Sequence, residues 1–360
     1  MGTEGLVADE LSYGGFKGVA AQNGSVAFSG DIKDLAKANM TLRCGERVLI
    51  KVGETKASTF EELFEGVKAL DWSLLIDKKD AFPVKGHSVR SRLTSIPACQ
   101  SIIKKAIVES LKASYKTELP ETGAKKQISF FIMNDRASIY IDTSGAPLYK
   151  RGYKLEQSEA SIRETLAAAM VKTARYKGRE PFYDPMCGSG TLAIEAATAA
   201  LNMAPGLKRS FEAEGWGEEY KNAFRDARAE ALSAIKREKL PVFASDADEK
   251  AVEMTRENAK RCGVLDCMEI FRADALKTDW RGRTGVLMCD PPYGVRMLDQ
   301  KKARLLLSAF GEKLSQSSLK MYIISADESF EEVFGRRADK RRKLYNGMIK
   351  CNLYMYFKER

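Results

Sequence analysis

The sequence predicts an α/β chain in which residues 151–360 form a doubly wound domain, its parallel sheet closed by an antiparallel hairpin, behind two smaller α+β regions. Three observations predict it. Strand-like runs at 181–184, 241–246, 268–273, 285–290 and 320–325 alternate with helical stretches, the rhythm of βαβ units. The end differs: 342–345 and 350–357 flank Asn346-Gly347, a two-residue hairpin signal. The first 150 residues mix glycine-punctuated strands with amphipathic helices and show no internal repeat. At 360 residues the chain has room for two or three domains, divided here as 1–50, 51–150 and 151–360.

In chain order, Val19-Ala20-Ala21, Asn23-Gly24 and Val26-Ala27-Phe28 read as a hairpin, followed by a short helix over 31–43 and a strand over 47–52. Residues 59–70 read as an amphipathic helix capped by Thr59, with Glu62 three positions on. Val84 and Val89 lie on strand-like pieces. Pro97 opens a helix to Lys112 with Ile103, Ala106, Ile107 and Leu111 on one face. Residues 127–133 and 137–142 read as paired strands. A helix over 160–175 then precedes the first strand of the doubly wound domain. Residues 203–239 read as an insertion between its first two strands. A parallel sheet closed by a hairpin fits a class I methyltransferase better than a dinucleotide dehydrogenase.

Composition narrows the classes. Lys and Arg number 59 against 49 Asp and Glu, a net +10 compatible with a polyanionic partner. The seven cysteines form no CxxC pair, so neither a disulfide framework nor a zinc site is expected, and a reducing cytoplasm is the compartment expected. One histidine, His87, leaves little room for histidine-based catalysis or metal binding, and no metal is expected. No apolar run reaches the 18 residues that suggest a membrane span, and Met1-Gly2-Thr3-Glu4 starts no signal peptide.

The segment from Asp184 through Cys187, Gly188, Ser189 and Gly190 to Thr191 joins a strand to a helix. Its glycines let the backbone turn tightly and approach a ligand, and the helix start offers unpaired N–H groups. Dehydrogenases hold a pyrophosphate there. An Asp at the strand end would repel a pyrophosphate and suits the ammonium of a methionine moiety. Asp246 at the next strand end could accept from ribose hydroxyls, and Asp274 after the third from an adenine amino group. Each acid alone is more often a surface or cap residue. Three at successive strand ends point to a ligand edge.

Asp290-Pro291-Pro292-Tyr293-Gly294 is the most specific feature. A buried strand ends in an acid, two rigid prolines, an aromatic and a glycine. Asp290 and the Pro291 carbonyl can accept from an exocyclic NH2, with Pro292 fixing the turn. Tyr293 can stack on a base removed from its helix. Positioning and charge matching would supply the catalysis.

Residues 81–108 hold Lys85, Arg90, Arg92, Lys104 and Lys105 and no acid, a composition suited to phosphate contacts. The alternative is a solvated basic face. A second basic run, 336–343, precedes the hairpin and reads either way.

Taken together these residues resemble the THUMP-domain-containing RNA methyltransferases, above all the bacterial large-subunit rRNA guanine-N2 methyltransferase group. The resemblance covers nearly the whole length. It rests on Arg151-Gly152-Tyr153, 164–169, Asp184 to Thr191, Asn202-Met203-Ala204-Pro205-Gly206-Leu207 and Asp290 to Gly294 behind, and on Phe82-Pro83-Val84, 95–100 and 104–108 in front. It implies a Rossmann-like class I methyltransferase domain preceded by ferredoxin-like and THUMP regions, S-adenosyl-L-methionine as cofactor and structured, ribosomal RNA as partner. It implies methyl-donor contacts at Asp184, Gly188, Gly190, Asp246 and Asp274, with Ile162 and Thr165 on the helix ahead of the first strand, and target-amine contacts at Asp290, Pro291 and Tyr293. Two departures stand out. The rRNA group usually has Asn at position 290, whereas Asp is commoner in relatives acting on transfer-RNA guanines and in adenine-N6 enzymes. The family's first strand should also precede Gly2, so the first region is expected to lack a strand.

Overall fold

In the computed structural model, which describes residues 2–154, 161–292 and 300–357, the chain opens on a helix, α1 (Glu4–Tyr13), that the sequence reading did not anticipate. Gly5 and Gly14 obscure its pattern, yet Leu6 and Leu11 are buried against neighbouring elements. The hairpin follows as β1 (Lys17–Gln22) and β2 (Ser25–Ser29), a two-stranded sheet that no further strand joins among the described residues. Helix α2 (Ile32–Thr41) starts at Asp31, whose carboxylate accepts from the amides of Lys33 and Asp34, a full capping box with Asp34.

The second region holds a four-stranded sheet. Strand β3 (Leu49–Lys56) begins two residues later and runs four residues further than the sequence predicted, because its polar second half still pairs with a partner strand. Thr59 caps α3 (Phe60–Lys68), its hydroxyl accepting from the Glu62 amide at 3.1 Å. Then come β4 (Val84–Val89), α4 (Ile96–Tyr115), β5 (Ile128–Met133) and β6 (Arg136–Asp142). The order is β3-β6-β5-β4, with only the β4–β5 pair parallel. Ile103, Ala106, Ile107 and Leu111 of α4 pack with Ile128, Phe130, Ile132 and Ile139 of the sheet, so the two helices cover one face.

The third region is doubly wound as expected. Helix α5 (Glu164–Thr173) precedes β7 (Phe182–Asp184), α6 (Thr191–Ala200), α7 (Glu218–Ser233), β8 (Val242–Asp246), α8 (Glu249–Cys262) and β9 (Glu269–Arg272). Strand β10 (Thr284–Cys289), α9 (Gln300–Leu314), β11 (Ser318–Ser325) and α10 (Phe330–Phe334) lead to the closing hairpin, β12 (Lys340–Asn346) and β13 (Ile349–Tyr356). The order is β12-β13-β11-β10-β7-β8-β9, and β13 alone runs antiparallel to the rest. Helices α5, α6 and α8 bury one face of this sheet, α9 and α10 the other. The basic run at 336–343 lies partly on β12: Arg341 pairs with Glu331, and Arg342 donates to the Gly2 carbonyl at 3.0 Å.

The insertion at 203–239 belongs physically to the front half. Its Phe211, Trp216, Phe224 and Ala231 enter the same core as Leu35 and Met40 of α2. The Asn202–Leu207 motif makes that junction. Gly206 donates to the Met40 carbonyl at 2.9 Å, and a Cβ there would meet the Met40 backbone at 2.8 Å, so only glycine allows the approach. Arg43 donates to the Thr198 carbonyl at 3.0 Å and Arg151 donates to the Arg43 carbonyl at 2.5 Å, both across the same boundary.

Candidate active site

The parallel strands reverse order between β7 and β10, the switch point where open α/β sheets bind ligands outside their carboxyl ends. Four acids stand along that edge on four adjacent strands. Asp184 and Asp246 close β7 and β8, Asp274 follows β9 by two residues, and Asp290 follows β10 directly.

Asp184 is 1% exposed, and neither carboxylate oxygen has a hydrogen-bond partner among the described residues. Burial pushes its pKa well up, and the charges of Asp246 and Asp290 push it further; the nearby amides of Ala193 and Met186 offset this only in part. A buried acid left this way is costly unless a cation comes to it. Asp246 is already oriented: Oδ2 accepts from the Gly188 amide and Oδ1 from the Asp248 amide, each at 3.0 Å. Asp274 accepts from the Leu276 amide at 2.9 Å, with the Lys277 ammonium 3.8 Å away.

Gly188 has φ +54°, and none of the described residues stands within 4 Å of where its Cβ would be, so they leave the turn open on that side. Gly190 has a different reason to be glycine. Its φ is +79° and a Cβ would lie 2.6 Å from the Thr255 side chain. Cys187 is buried, its Sγ 3.4 Å from Thr255 Oγ1; burial raises its pKa, so it is held as a thiol. Thr191 opens α6 and is buried. Two residues missed by sequence reasoning brace the turn from α8: Thr255 donates to the Gly188 carbonyl at 3.0 Å and Asn258 to the Ser189 carbonyl at 2.9 Å. Polar residues on the buried side of an amphipathic helix were the available signal.

Ile162 is buried in the core beside α5. Thr165 is buried too, and its hydroxyl donates to Glu46 of the front half, which also lies 3.9 Å from Arg163. Pro291 is buried and Pro292 half-buried after Asp290. Tyr293 lies outside the described residues.

The basic residues of 81–108 do not gather on one face. Lys85 is exposed on β4, on the side of the sheet away from α3 and α4. Arg90 ends that strand, exposed at φ +51°. Arg92 sits 3.6 Å from Asp135. Lys104 lies 3.4 Å over the Phe82 ring and 2.6 Å from Glu121, and Lys105 lies 4.0 Å from Glu109. Burial lowers the Lys104 pKa, the Glu121 carboxylate opposing it. Among the described residues no group of three or more His, Cys, Asp or Glu could hold a metal ion, and no helix is long and apolar enough to cross a membrane.

Fold and edge together define a class I methyltransferase, and comparison with known proteins narrows this. Residues 151–355 match the family described as RMKL-like, methyltransferase domain; residues 1–49 match the RlmL ferredoxin-like domain and 57–142 the THUMP domain. The chain is 40% identical to YpsC of Bacillus subtilis (strain 168), provisionally named an RNA methyltransferase, over 99% of this chain and 94% of that one. It is 31% identical to the ribosomal RNA large subunit methyltransferase K/L of Psychromonas ingrahamii, over 98% of this chain but 48% of that longer protein. Among solved structures, SMU.472, provisionally a methyltransferase and complexed with SAH, superposes with a TM-score of 0.92 at 39% identity, covering 100% of this chain and 96% of that one. A Listeria monocytogenes protein, described by prediction as an N6-adenine-specific DNA methylase, gives 0.92 at 40%, covering 99% and 93%. The chain belongs to the THUMP-domain-containing class I RNA methyltransferases, with an RMKL-like catalytic domain. Its cofactor is S-adenosylmethionine.

The residues present fit that group. Asp184 is the unpartnered buried acid that an ammonium satisfies, Gly188 leaves the turn open, and Asp246 and Asp274 keep carboxylate lone pairs for hydroxyl and amino donors.

Proposed function

We propose that the chain methylates N2 of a guanine in large-subunit ribosomal RNA. The observation that carries this reading is the placement of Asp290-Pro291-Pro292 directly after β10, at the switch point beside Asp184. S-adenosylmethionine supplies a methyl group on a cationic sulfonium. The chain's own residues then need to hold a weakly nucleophilic amine in line with it. Asp290 and the Pro291 carbonyl accept one N–H each, orient the nitrogen lone pair and stabilise the positive charge that develops on nitrogen. The Asp290 carboxylate is then placed to take the proton that the methylated amine must lose. The THUMP match and the K/L relative support a ribosomal substrate.

One specific observation favours a second reading. Asp rather than Asn at 290, together with the adenine-specific name of a structural neighbour, favours an adenine N6 or transfer-RNA guanine acceptor. The test is transfer of labelled methyl from S-adenosylmethionine to RNA from a strain lacking this protein. The proposal expects label in large-subunit rRNA and none in the transfer-RNA fraction. Label confined to transfer RNA contradicts it.

A further inference from the structure

The four-stranded sheet has one face covered by α3 and α4 and one face open. Cross-strand register puts His87, Phe131 and Ser138 side by side across the open face, with Tyr140 one row away. Phe131 is 38% exposed, and its apolar neighbours on the same face, Val89 and Met133, are 44% and 37% exposed. Phe131 and Met133 stand on the central strand β5, where such residues are ordinarily covered. The chain's only histidine is part of this surface.

Charge gives the occupant. Four bases on this face, Lys51, Lys56, Lys85 and Arg136, meet Glu54; the face's other acid, Asp142, is buried at the end of β6 and paired with Arg47. Glu54 is already engaged, 2.9 Å from Lys51, 3.7 Å from Arg136 and accepting from Ser138 at 3.1 Å. Lys56 and Lys85 have no ionic partner among the described residues and flank the aromatic rows from the two edge strands, β3 and β4. A second copy meeting this face would set like charges against each other. A duplex would keep its base faces stacked inside. Unpaired bases stack on aromatic side chains while flanking cations hold the backbone.

We infer that the open sheet face is a stacking platform for a single-stranded segment of the RNA substrate, with Phe131 and His87 under the bases and Lys85 and Lys56 on phosphates. The inference rests on the RNA reading above and adds where the RNA sits and that it is unpaired there. It also replaces the 81–108 patch, of which it keeps Lys85.

The test uses the full chain and fluorescence anisotropy with a labelled oligouridylate and a hairpin duplex of equal length. Phe131→Ala should weaken oligouridylate binding roughly 5- to 150-fold, the range for losing one base stack. Phe131→Trp should restore it, and His87→Ala should weaken it less. Lys85→Ala should flatten the log–log salt dependence by about 0.7, one phosphate on a single strand. Binding of S-adenosylhomocysteine, measured alongside, should stay unchanged in all of them and reports that the variants fold. Unchanged oligouridylate affinity in Phe131→Ala and His87→Ala overturns the platform. So does a loss confined to the hairpin duplex, or a wild-type dimer that Phe131→Ala dissociates without altering RNA affinity. Wild-type methyl transfer to RNA alongside any of these leaves the proposed function standing. Wild-type protein that neither binds nor methylates any RNA sinks both.

Discussion

The carboxylate of Asp246 accepts the backbone N–H of Gly188 at 3.0 Å, so the acid at the end of β8 fixes the glycine turn at the end of β7. One side chain thus shapes the cofactor edge and offers it an acceptor. Asp246→Ala should weaken S-adenosylhomocysteine binding by about 1–3 kcal/mol, the cost of a lost buried hydrogen-bond partner. Asp246→Asn keeps an oxygen for Gly188 and should lose less. Calorimetry separates the two; equal losses would mean that the turn does not depend on this bond.

Asp184 carries the opposite trade. Its pKa is raised in the folded chain, chiefly by burial and then by Asp246. The sign follows: stability from a raised carboxyl pKa is fully present below the ordinary carboxylate range and is lost as pH rises toward the folded value. Asp184→Asn removes that loss. The variant should melt higher than wild type near about pH 7.5, with the gain shrinking toward about pH 4, and it should bind S-adenosylhomocysteine far more weakly. Melting curves without ligand at both pH values check this. A variant less stable than wild type at neutral pH would show that the carboxylate is satisfied within the protein.

Lys104 is a stabilising residue of the second region. Lys104→Ala removes the ammonium from the Phe82 ring and from Glu121 and should cost about 1–2 kcal/mol of stability. It should leave the salt dependence of RNA binding unchanged. A flattened salt slope would return Lys104 to the RNA surface.

Asp290 should be needed for turnover and not for cofactor binding. Asp290→Ala should lower methyl transfer by roughly 100- to 1,000-fold, the cost of one positioned transition-state contact. Asp290→Asn keeps one acceptor oxygen and should retain measurable transfer. Full activity in Asp290→Ala would remove this loop from the mechanism.

The strands of the doubly wound domain and the acids at their ends were legible because each depends on local pattern: apolar runs, a glycine turn and an acid at a strand end. What was not legible depends on distant partners. The contacts of Lys104 were not legible, because Glu121 stands 17 residues on and Phe82 22 residues back. The insertion looked like part of the catalytic domain because its core partners, Leu35 and Met40, lie far upstream. Thr255 and Asn258 gave no sign of their role because the carbonyls they brace, of Gly188 and Ser189, lie 67 and 69 residues upstream. Helix α1 escaped because its glycines break a short pattern.

The proposed reaction at this edge is methylation of the exocyclic N2 of guanine. Its most direct test is to incubate the chain and S-adenosylmethionine with large-subunit rRNA from a strain lacking the protein, digest the RNA to nucleosides and identify the methylated one by mass spectrometry. N2-methylguanosine is the expected product, lost with Asp290→Ala. N6-methyladenosine as the product would contradict it.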